Sequence, residues 1–527
     1  MGWFHDAVVY EVLVPLFKDG DGDGVGDLVG LTSQLDYLAD LGVTCVWLGP
    51  FFDSPRCDDG YDVRDYYAID PQLGSEAQFE HLVRRAGSLG MRVIVDMPFN
   101  HTSVEHHWFR SARSDPASSY RGLYRWSDEP LGDVNVVGEP SAWTFDEAAR
   151  LYYYHAFFDF QPDLDLANPQ VREELARVVD HWMGFGVSGF RLDAVPLMLD
   201  EPTAQGFDLL AAMRSRVEER WPDGVILAEG DVGPAELTRY FGSGRGVHAA
   251  LSFYTSAHIG LALVEGRARA LERALRSLPR PPDGCSYANF IRSHDEWSFR
   301  QVSSEERETV FAAFDPDGRG RMFSTGLRRR LAPLLGGDVR RLELAHSLLL
   351  TLPGTPVIYF GDEVGMGDDL AVEGRGAVRT AMQWNAGANG GFSEARAEEL
   401  SAPLVVSGPF AYDKVNVAYQ RDEPGSLLNW YRAALEARRG FPEFGRAGSA
   451  EVLRTGDPRV LAHACRVGEG ASLALHNLSG EALVVAAPVE LTAGADRLFG
   501  DGELSRDGRV RLGPYGRLWA RVVGRDR

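Results

Sequence analysis

The sequence predicts an α/β protein built on a (β/α)8 TIM barrel, with a subdomain inserted after strand three and a C-terminal β-sandwich. Three observations predict this. Short β-branched apolar runs alternate with longer segments of helical period, there are eight such runs, and the alternation is interrupted at only two places.

The candidate strands lie at 8–14, 45–49, 93–97, 189–193, 225–229, 249–253, 289–293 and 356–360. Between most of them the apolar positions recur every three or four residues, as at 34–41 and 76–89, which is the period of a helix packing one face on a sheet. A closed barrel accounts for eight such units better than an open sheet does, although the spacing is compatible with both. From about residue 101 to 160 the helical pattern gives way to aromatic, Gly, Pro and Asp residues, including Tyr152-Tyr153-Tyr154-His155. This reads as the inserted subdomain. After about residue 448, short apolar runs are broken by Gly and Asp turns, the texture of a small antiparallel sandwich. The expected division is therefore 1–100 and 171–447 for the barrel, 101–170 for the insert and 448–527 for the sandwich, with no internal repeat or low-complexity tract.

Composition narrows the function classes. At 527 residues the chain exceeds one ordinary core and suits a barrel of about 250 residues or more with appendages. A 44% hydrophobic and 25% charged makeup is globular. With 54 basic against 76 acidic residues the net charge is -22, which repels phosphate backbones and anionic membranes and favours a neutral ligand such as a sugar. No nucleic-acid or membrane partner is expected, and self-association is left open. The first residues offer neither a basic stretch nor a signal-length apolar run, so a cytoplasmic location is expected. The four cysteines, Cys45, Cys57, Cys285 and Cys465, are too scattered for a zinc motif and too few for a disulfide scaffold, and free thiols are expected. The three arginines Arg328 to Arg330, with Glu305, Glu306 and Glu308 nearby, read as a solvated or salt-bridged face.

Barrel enzymes carry their reacting groups where strands end, because the loops beyond form the open mouth. Strand three runs into Asp96-Met97-Pro98-Phe99-Asn100-His101, strand four ends in Arg191-Leu192-Asp193, strand five in Glu229, and strand seven runs into Ser293-His294-Asp295. One acid at a strand end is more often a helix cap. Four such segments together point to a shared site.

These segments resemble the characteristic regions of glycoside hydrolase family 13, the α-amylase family. Gly60-Tyr61-Asp62-Val63, Gln161-Pro162-Asp163-Leu164-Asp165 and Gly354-Thr355-Pro356-Val357-Ile358-Tyr359 match further family motifs in order, so the resemblance covers nearly the whole chain. Within the family, Arg328 to Gly336 and Arg379-Thr380-Ala381-Met382-Gln383-Trp384 resemble the trehalose synthase branch. The resemblance implies Asp193 as nucleophile, Glu229 as general acid/base and Asp295 as a third carboxylate gripping sugar hydroxyls. It implies Tyr61, Asp62, His101, Arg191, His294 and Arg379 as substrate-binding residues. The chemistry needs these types: a retaining glycosidase sets two carboxyls ~5 Å apart, one ionised beneath the anomeric carbon and one protonated beside the leaving oxygen. Arg191, two residues before Asp193 on the same strand face, is placed to keep it ionised.

A metal loop is readable from the residues themselves. Asp19, Asp21, Asp23 and Asp27 occupy positions 1, 3, 5 and 9 of a loop with Gly24 at 6 and the Val25 carbonyl at 7, an arrangement that surrounds a hard cation with oxygens, although Gly30 stands where an EF-hand has Glu. The resemblance implies structural calcium there, and a second calcium site at Asn100, Asp163 and Asp200. No organic cofactor is expected. The function implied is retaining isomerisation of maltose to trehalose with side hydrolysis, and Ala194 after the nucleophile resembles enzymes acting on α-1,4 bonds. Ser293, Gly230-Asp231 and residues 251–254 depart from the family pattern near the pocket. An α-1,4-glucosidase or transglucosidase is the alternative, and a non-catalytic amylase-like binding protein the alternative of another class.

Overall fold

The computed structural model describes residues 2–132, 134–199, 204–492 and 494–523. Eight parallel strands close into a barrel: β1 (Val9–Val12), β2 (Cys45–Leu48), β3 (Arg92–Met97), β4 (Gly189–Leu192), β5 (Val225–Ala228), β6 (Ala249–Leu251), β7 (Ser286–Asn289) and β8 (Thr355–Tyr359). Each pairs with its successor, and Val9 of β1 lies beside both Cys45 of β2 and Val357 of β8. That closure excludes the open sheet.

Side chains alternate along each strand, so one parity fills the barrel and the other meets the helices. Val9, Cys45, Trp47, Ile94, Val225, Leu227, Ala249, Leu251, Ala288 and Val357 form the inner cluster, with Phe4 packed into it from the turn before β1. Tyr10, Val12, Val46, Leu48, Val93 and Val95 point outward into the core shared with the helical ring. Both faces are thus dry, which is why the strands read as continuous apolar runs. The helices carry ordinary start signals. Ser75 and Gln78 form a capping box on Glu76–Ser88, and Asn168 caps Pro169–Gly184, which has Pro at its first position.

Three strands differ from expectation by more than one residue at an end, the other five by one. β7 spans Ser286–Asn289 rather than 289–293, because Ser286 pairs with Ala249 and Ala288 with Thr355. Closure of the ring overrides the weak strand preference of Ser, Ala and Asn there. β6 stops at Leu251 because Ser252 caps the helix Phe253–Glu265 by accepting the Thr255 N–H. β1 stops at Val12 because Pro15 starts a helical turn, Val14–Phe17.

After β3 the chain forms the helix His107–Ser114 and a three-stranded sheet in which Leu151–Tyr154 lies between Trp126–Ser127 and Trp143–Asp146. A second excursion, after β7, contains the helix Ser304–Phe314 and a small sheet of Trp297–Ser298, Gly326–Leu327 and Arg321–Met322. The C-terminal part is two antiparallel sheets, of five and three strands, sharing a core that includes Leu473, Leu475 and Leu518 from one and Leu483, Val485 and Val510 from the other. It docks on the barrel through Trp519, whose ring packs on Phe441 and Phe444 and whose indole N–H donates to Ser347 Oγ at 2.8 Å.

Of the two readings of the arginine run, solvated or salt-bridged, the structure shows the second, with partners in the chain after β8. Arg330 is fully buried, its guanidinium over the rings of Tyr359 and Phe360 and 3.5 Å from Asp362, while Arg329 pairs with Asp368 at 3.0 Å. The guanidinium can be buried because its N–H groups also reach the carbonyls of Phe360 and Val378. The four cysteines are free thiols, with Cys57 exposed. Among the described residues no helix is long and apolar enough to cross a membrane.

Candidate active site

The inward parity continues past the apolar plug. Two residues beyond Val9 stands Glu11, beyond Ile94 Asp96, beyond Arg191 Asp193 and beyond Leu227 Glu229. Register places Asp96 beside Arg191 and Arg191 beside Leu227, so Asp193 and Glu229 stand one inward step further on and form the tier at the C-terminal rim. The tier is polar because it is the last one before the mouth.

Arg191 organises it. Its Nη1 donates to Asp96 at 2.8 and 2.9 Å and to Asp193 Oδ1 at 2.5 Å, and its Nη2 lies 2.9 Å from Glu229 Oε2. The guanidinium is itself 1% exposed and lies over the Trp47 ring. A single planar cation thus holds Asp193 and Glu229 side by side, using the fork geometry a lysine lacks. Glu229 Oε2 also accepts the Ala194 N–H at 2.8 Å. Ala194 makes that contact from a left-handed backbone, φ 46° and ψ 41°, a conformation that costs an L-residue about 1–2 kcal/mol. The local strain aims an amide at the acid.

Burial pushes Glu229 up to about 7; Arg191 opposes the rise and the charges of Asp193 and Asp295 add to it. Burial also raises Asp193, to about 6, with Arg191 opposing and Asp96 and Asp295 adding. Glu229 therefore holds its proton more tightly than Asp193, the order that an acid and a nucleophile require. Asp295 is the opposite case. Burial would raise it, but Arg375, His294 and Arg379 together hold it well below the usual carboxylate range. Arg379 Nη2 donates to Asp295 Oδ1 at 2.9 Å, and Arg375 Nε lies 3.1 Å from the same oxygen.

Around the acids is a cavity of about 90 Å3 lined by Asp58, Tyr61, His101, Phe157, Asp193, Ala194, Glu229, Asp295 and Arg375. A second cavity of about 230 Å3 shares Phe157, Ala194, Glu229 and Arg375 with it and extends to Asp231, Glu296, Arg300 and Phe323. The excursion after β7 therefore walls the outer cavity.

The expected sugar-binding residues are placed as follows. Tyr61 donates to Asp96 Oδ2 at 3.0 Å, lies 2.8 Å from His294 Nε2 and stacks on that ring. His101 Nε2 meets the Tyr61 carbonyl at 3.2 Å, and burial lowers this imidazole to about 4, so it is neutral at pH 7. Arg379 is buried and bonds the His294 carbonyl, Asp59 and Asp295. Asp62 differs from expectation. Its carboxylate accepts the N–H groups of Cys57 (2.9 Å) and Asp58 (3.1 Å) and the Ser54 hydroxyl, so its contacts shape the loop that carries Asp58 to the cavity. A short acid surrounded by its own loop's amides is satisfied locally. The residues that sequence reasoning left out are Asp96, Asp58, Phe157 and Arg375. Asp96 had a readable signal, its inward parity; Arg375, between two glycines in an aperiodic loop, had none.

At the acidic loop, ligand oxygens of Asp19, Asp21 and Asp27 lie within 4.8 Å of one another, while Asp23 is outside that cluster and accepts the Val25 N–H. Asp19 also accepts N–H groups of Asp21, Gly22 and Gly24 and the Ser393 hydroxyl, which ties the loop to the chain after β8. Asn100 and Asp163 lie on adjacent segments, joined by the His101 to Asp163 bridge and by the Leu164 N–H to the Asn100 carbonyl at 2.9 Å. Asp200 lies outside the described residues.

Comparison with known proteins agrees with this geometry. The profile of the α-amylase catalytic domain matches residues 12–309 and 323–444. The chain is 41% identical to a trehalose synthase of Thermus thermophilus over 98% of its own length but only 55% of that protein's, so it spans about half of that relative. It is 39% identical to a trehalose synthase of Pimelobacter sp., covering 90% of this chain and 87% of that one. Among solved structures, an isomaltulose synthase variant from Erwinia rhapontici in complex with sucrose superposes with a TM-score of 0.79 at 25% identity, over 99% of this chain and 100% of that one. With the family profile matched across most of its length and its acids gathered at the barrel mouth, the chain belongs to the α-amylase family, glycoside hydrolase family 13.

Proposed function

We propose that the chain is a retaining α-glucosyl transferase that isomerises maltose to trehalose, with some hydrolysis to glucose. The observation that carries this is the pair Asp193 and Glu229 held on one guanidinium, with Glu229 in the wall shared by two adjoining cavities. Asp193, Glu229 and Asp295, which line the inner cavity, assign it to the glucosyl unit, and the outer cavity, reached past Glu229, to the departing sugar. Glu229 gives its proton to the glycosidic oxygen while an Asp193 oxygen bonds the anomeric carbon and the C–O bond breaks. Esterification removes the Asp193 charge, so the proton affinity of Glu229 falls and it becomes a base. The released glucose turns in the outer cavity, and its anomeric hydroxyl attacks, giving its proton to Glu229 and freeing Asp193. Asp295, held ionised by two arginines, grips hydroxyls of the glucosyl unit. The relatives named trehalose synthase support trehalose as the product.

Calcium belongs to the same proposal. Asp19, Asp21 and Asp27 fit a hard cation by donor type and convergence and would hold it at the loop; Asn100 and Asp163 would contribute to a second site. Such an ion supplies charge neutralisation and a tie between the β1 loop and the chain after β8.

Incubating the purified chain with maltose and separating the products tests the reading. Trehalose as the main product, with minor glucose, is expected. Glucose alone at all times and substrate concentrations would hand the case to the α-glucosidase alternative, and no turnover of any α-glucoside to the non-catalytic one.

A further inference from the structure

A histidine offers a site two nitrogens, and the partner of one decides what the other can do. His294 is 1% exposed, with its ring held face-on to Tyr61 and edge-on to Trp47. Its Nδ1 meets Glu11 Oε1, and its backbone N–H lies 3.4 Å from the same oxygen. Its Nε2 lies 2.8 Å from the Tyr61 hydroxyl and 3.4 Å from Asp295 Oδ2.

The proton directions follow from counting donors. Tyr61 has one hydroxyl hydrogen and gives it to Asp96 Oδ2, an oxygen that Arg191 also bonds. The hydroxyl must then accept from His294, so Nε2 carries a hydrogen. On the other side a carboxylate can only accept, so Nδ1 carries one as well. Glu11 is completely buried on β1, its Oε2 has no partner among the described residues, and the only side-chain hydrogen bond described for it is to His294. An acid in the dry interior of a barrel strand is costly unless its partner is charged.

We propose that Glu11 is a positioning residue of the glucosyl-transfer site: by accepting from Nδ1 it keeps His294 a fixed, doubly protonated imidazolium whose Nε2–H faces Tyr61 and Asp295. The proposal rests on the transfer reading above. The groups that face His294 are Glu11 from β1, Tyr61 from the loop after β2, Asp96 from β3, Asp193 after β4, Asp295 beside it and Arg379 from the loop after β8. Burial and Arg379 disfavour the charged ring, but Asp295 and Glu11 outweigh them and raise the affinity of His294 for its proton. The imidazolium in turn helps keep both Asp193 and Asp295 ionised.

Replacing Glu11→Gln keeps the shape and removes the charge, so His294 should lose its proton within the neutral range. For hydrolysis of an aryl α-glucoside, kcat/KM should be nearly unchanged at pH 5.5 and fall by about tenfold toward pH 7.5, the worth of one lost charge-assisted contact. Glu11→Asp should recover part of the loss. A variant profile parallel to the wild-type one would overturn the proposal, since a merely structural acid lowers stability without bending the profile. Nitrogen NMR of the wild-type His294 ring, assigned by difference against His294→Asn, needs neither turnover nor a folded Glu11 variant. Two protonated nitrogens at pH 7 are expected; a neutral ring would overturn the proposal even if glucosyl transfer is confirmed.

Discussion

Arg191→Lys isolates the part of the site that depends on geometry rather than charge. Arg191 reaches Asp96, Asp193 and Glu229 at once, at 2.5 to 2.9 Å, and one ammonium cannot serve all three. Losing one charge-assisted hydrogen bond costs the ionised form about 1.5–3 kcal/mol, which is about one to two pKa units. Asp193 starts at about 6 and Glu229 at about 7, and because the lost contact favoured the charged form, both rise. At pH 6.5 the ionised share of Asp193 then falls from roughly three-quarters to between about a quarter and a few per cent, a loss of roughly 3- to 25-fold in kcat/KM. The activity bell should move bodily to higher pH, because Glu229 also keeps its proton further into the alkaline range. The assay is kcat/KM for maltose from pH 5 to 9, with the melting temperature of the variant measured alongside. A folded variant whose bell stays in place, or moves down, would refute the claim that Arg191 sets these proton affinities.

Two further outcomes follow from the same structure. Glu229 binds its proton more tightly folded, at about 7, than unfolded, so its buried charge costs stability that grows as pH rises from about 4.5 to 7. Glu229→Gln should therefore lose turnover of maltose yet gain in stability, by a margin that widens between pH 5 and 8 and reaches about 3 kcal/mol at the alkaline end; a margin that narrows with pH contradicts the assignment. Chelation should lower the melting temperature by several degrees, since an ion bound only by the folded chain stabilises it by mass action. Asp21→Ala, at an exposed position, should abolish that response, and a wild-type melting curve indifferent to both calcium and chelator argues against the site.

The barrel was legible because its strands are buried on both faces and so read as unbroken apolar runs, and the acids were legible because each ends such a run. Parity did the rest for Asp193 and Glu229. Glu11 and Asp96 obey the same parity but sit among apolar neighbours, where a lone acid gives no sign of which partner balances it. Arg375 lies in a loop without period, and its place depends on how residues 300–379 fold over the mouth. Asp62 shows the reverse failure: a motif residue whose carboxylate is occupied by backbone amides that only the folded loop brings near. Arg330 read as part of a solvated or salt-bridged face; its ion pair with Asp362 fits that reading, while its burial depends on the aromatic floor of Tyr359 and Phe360, which lies some thirty residues away in sequence. Boundaries of β6 and β7 escaped because a serine cap and a ring-closing register outrank local propensity.

Closure of the ring also has a consequence for how the protein is made. The seam joins Val9 to Val357, so the first strand waits for its second neighbour until nearly three hundred and fifty further residues have been added. At a ribosomal rate of about 5–20 residues per second that is roughly 20–70 s, during which β1 presents an unpaired edge and the inner cluster around Trp47 and Ile94 lacks one wall. Such an edge is a template for pairing with other chains. Recovery of the protein from a host cell should accordingly respond more to translation speed, growth temperature and chaperone supply during synthesis than to the stability of the finished fold.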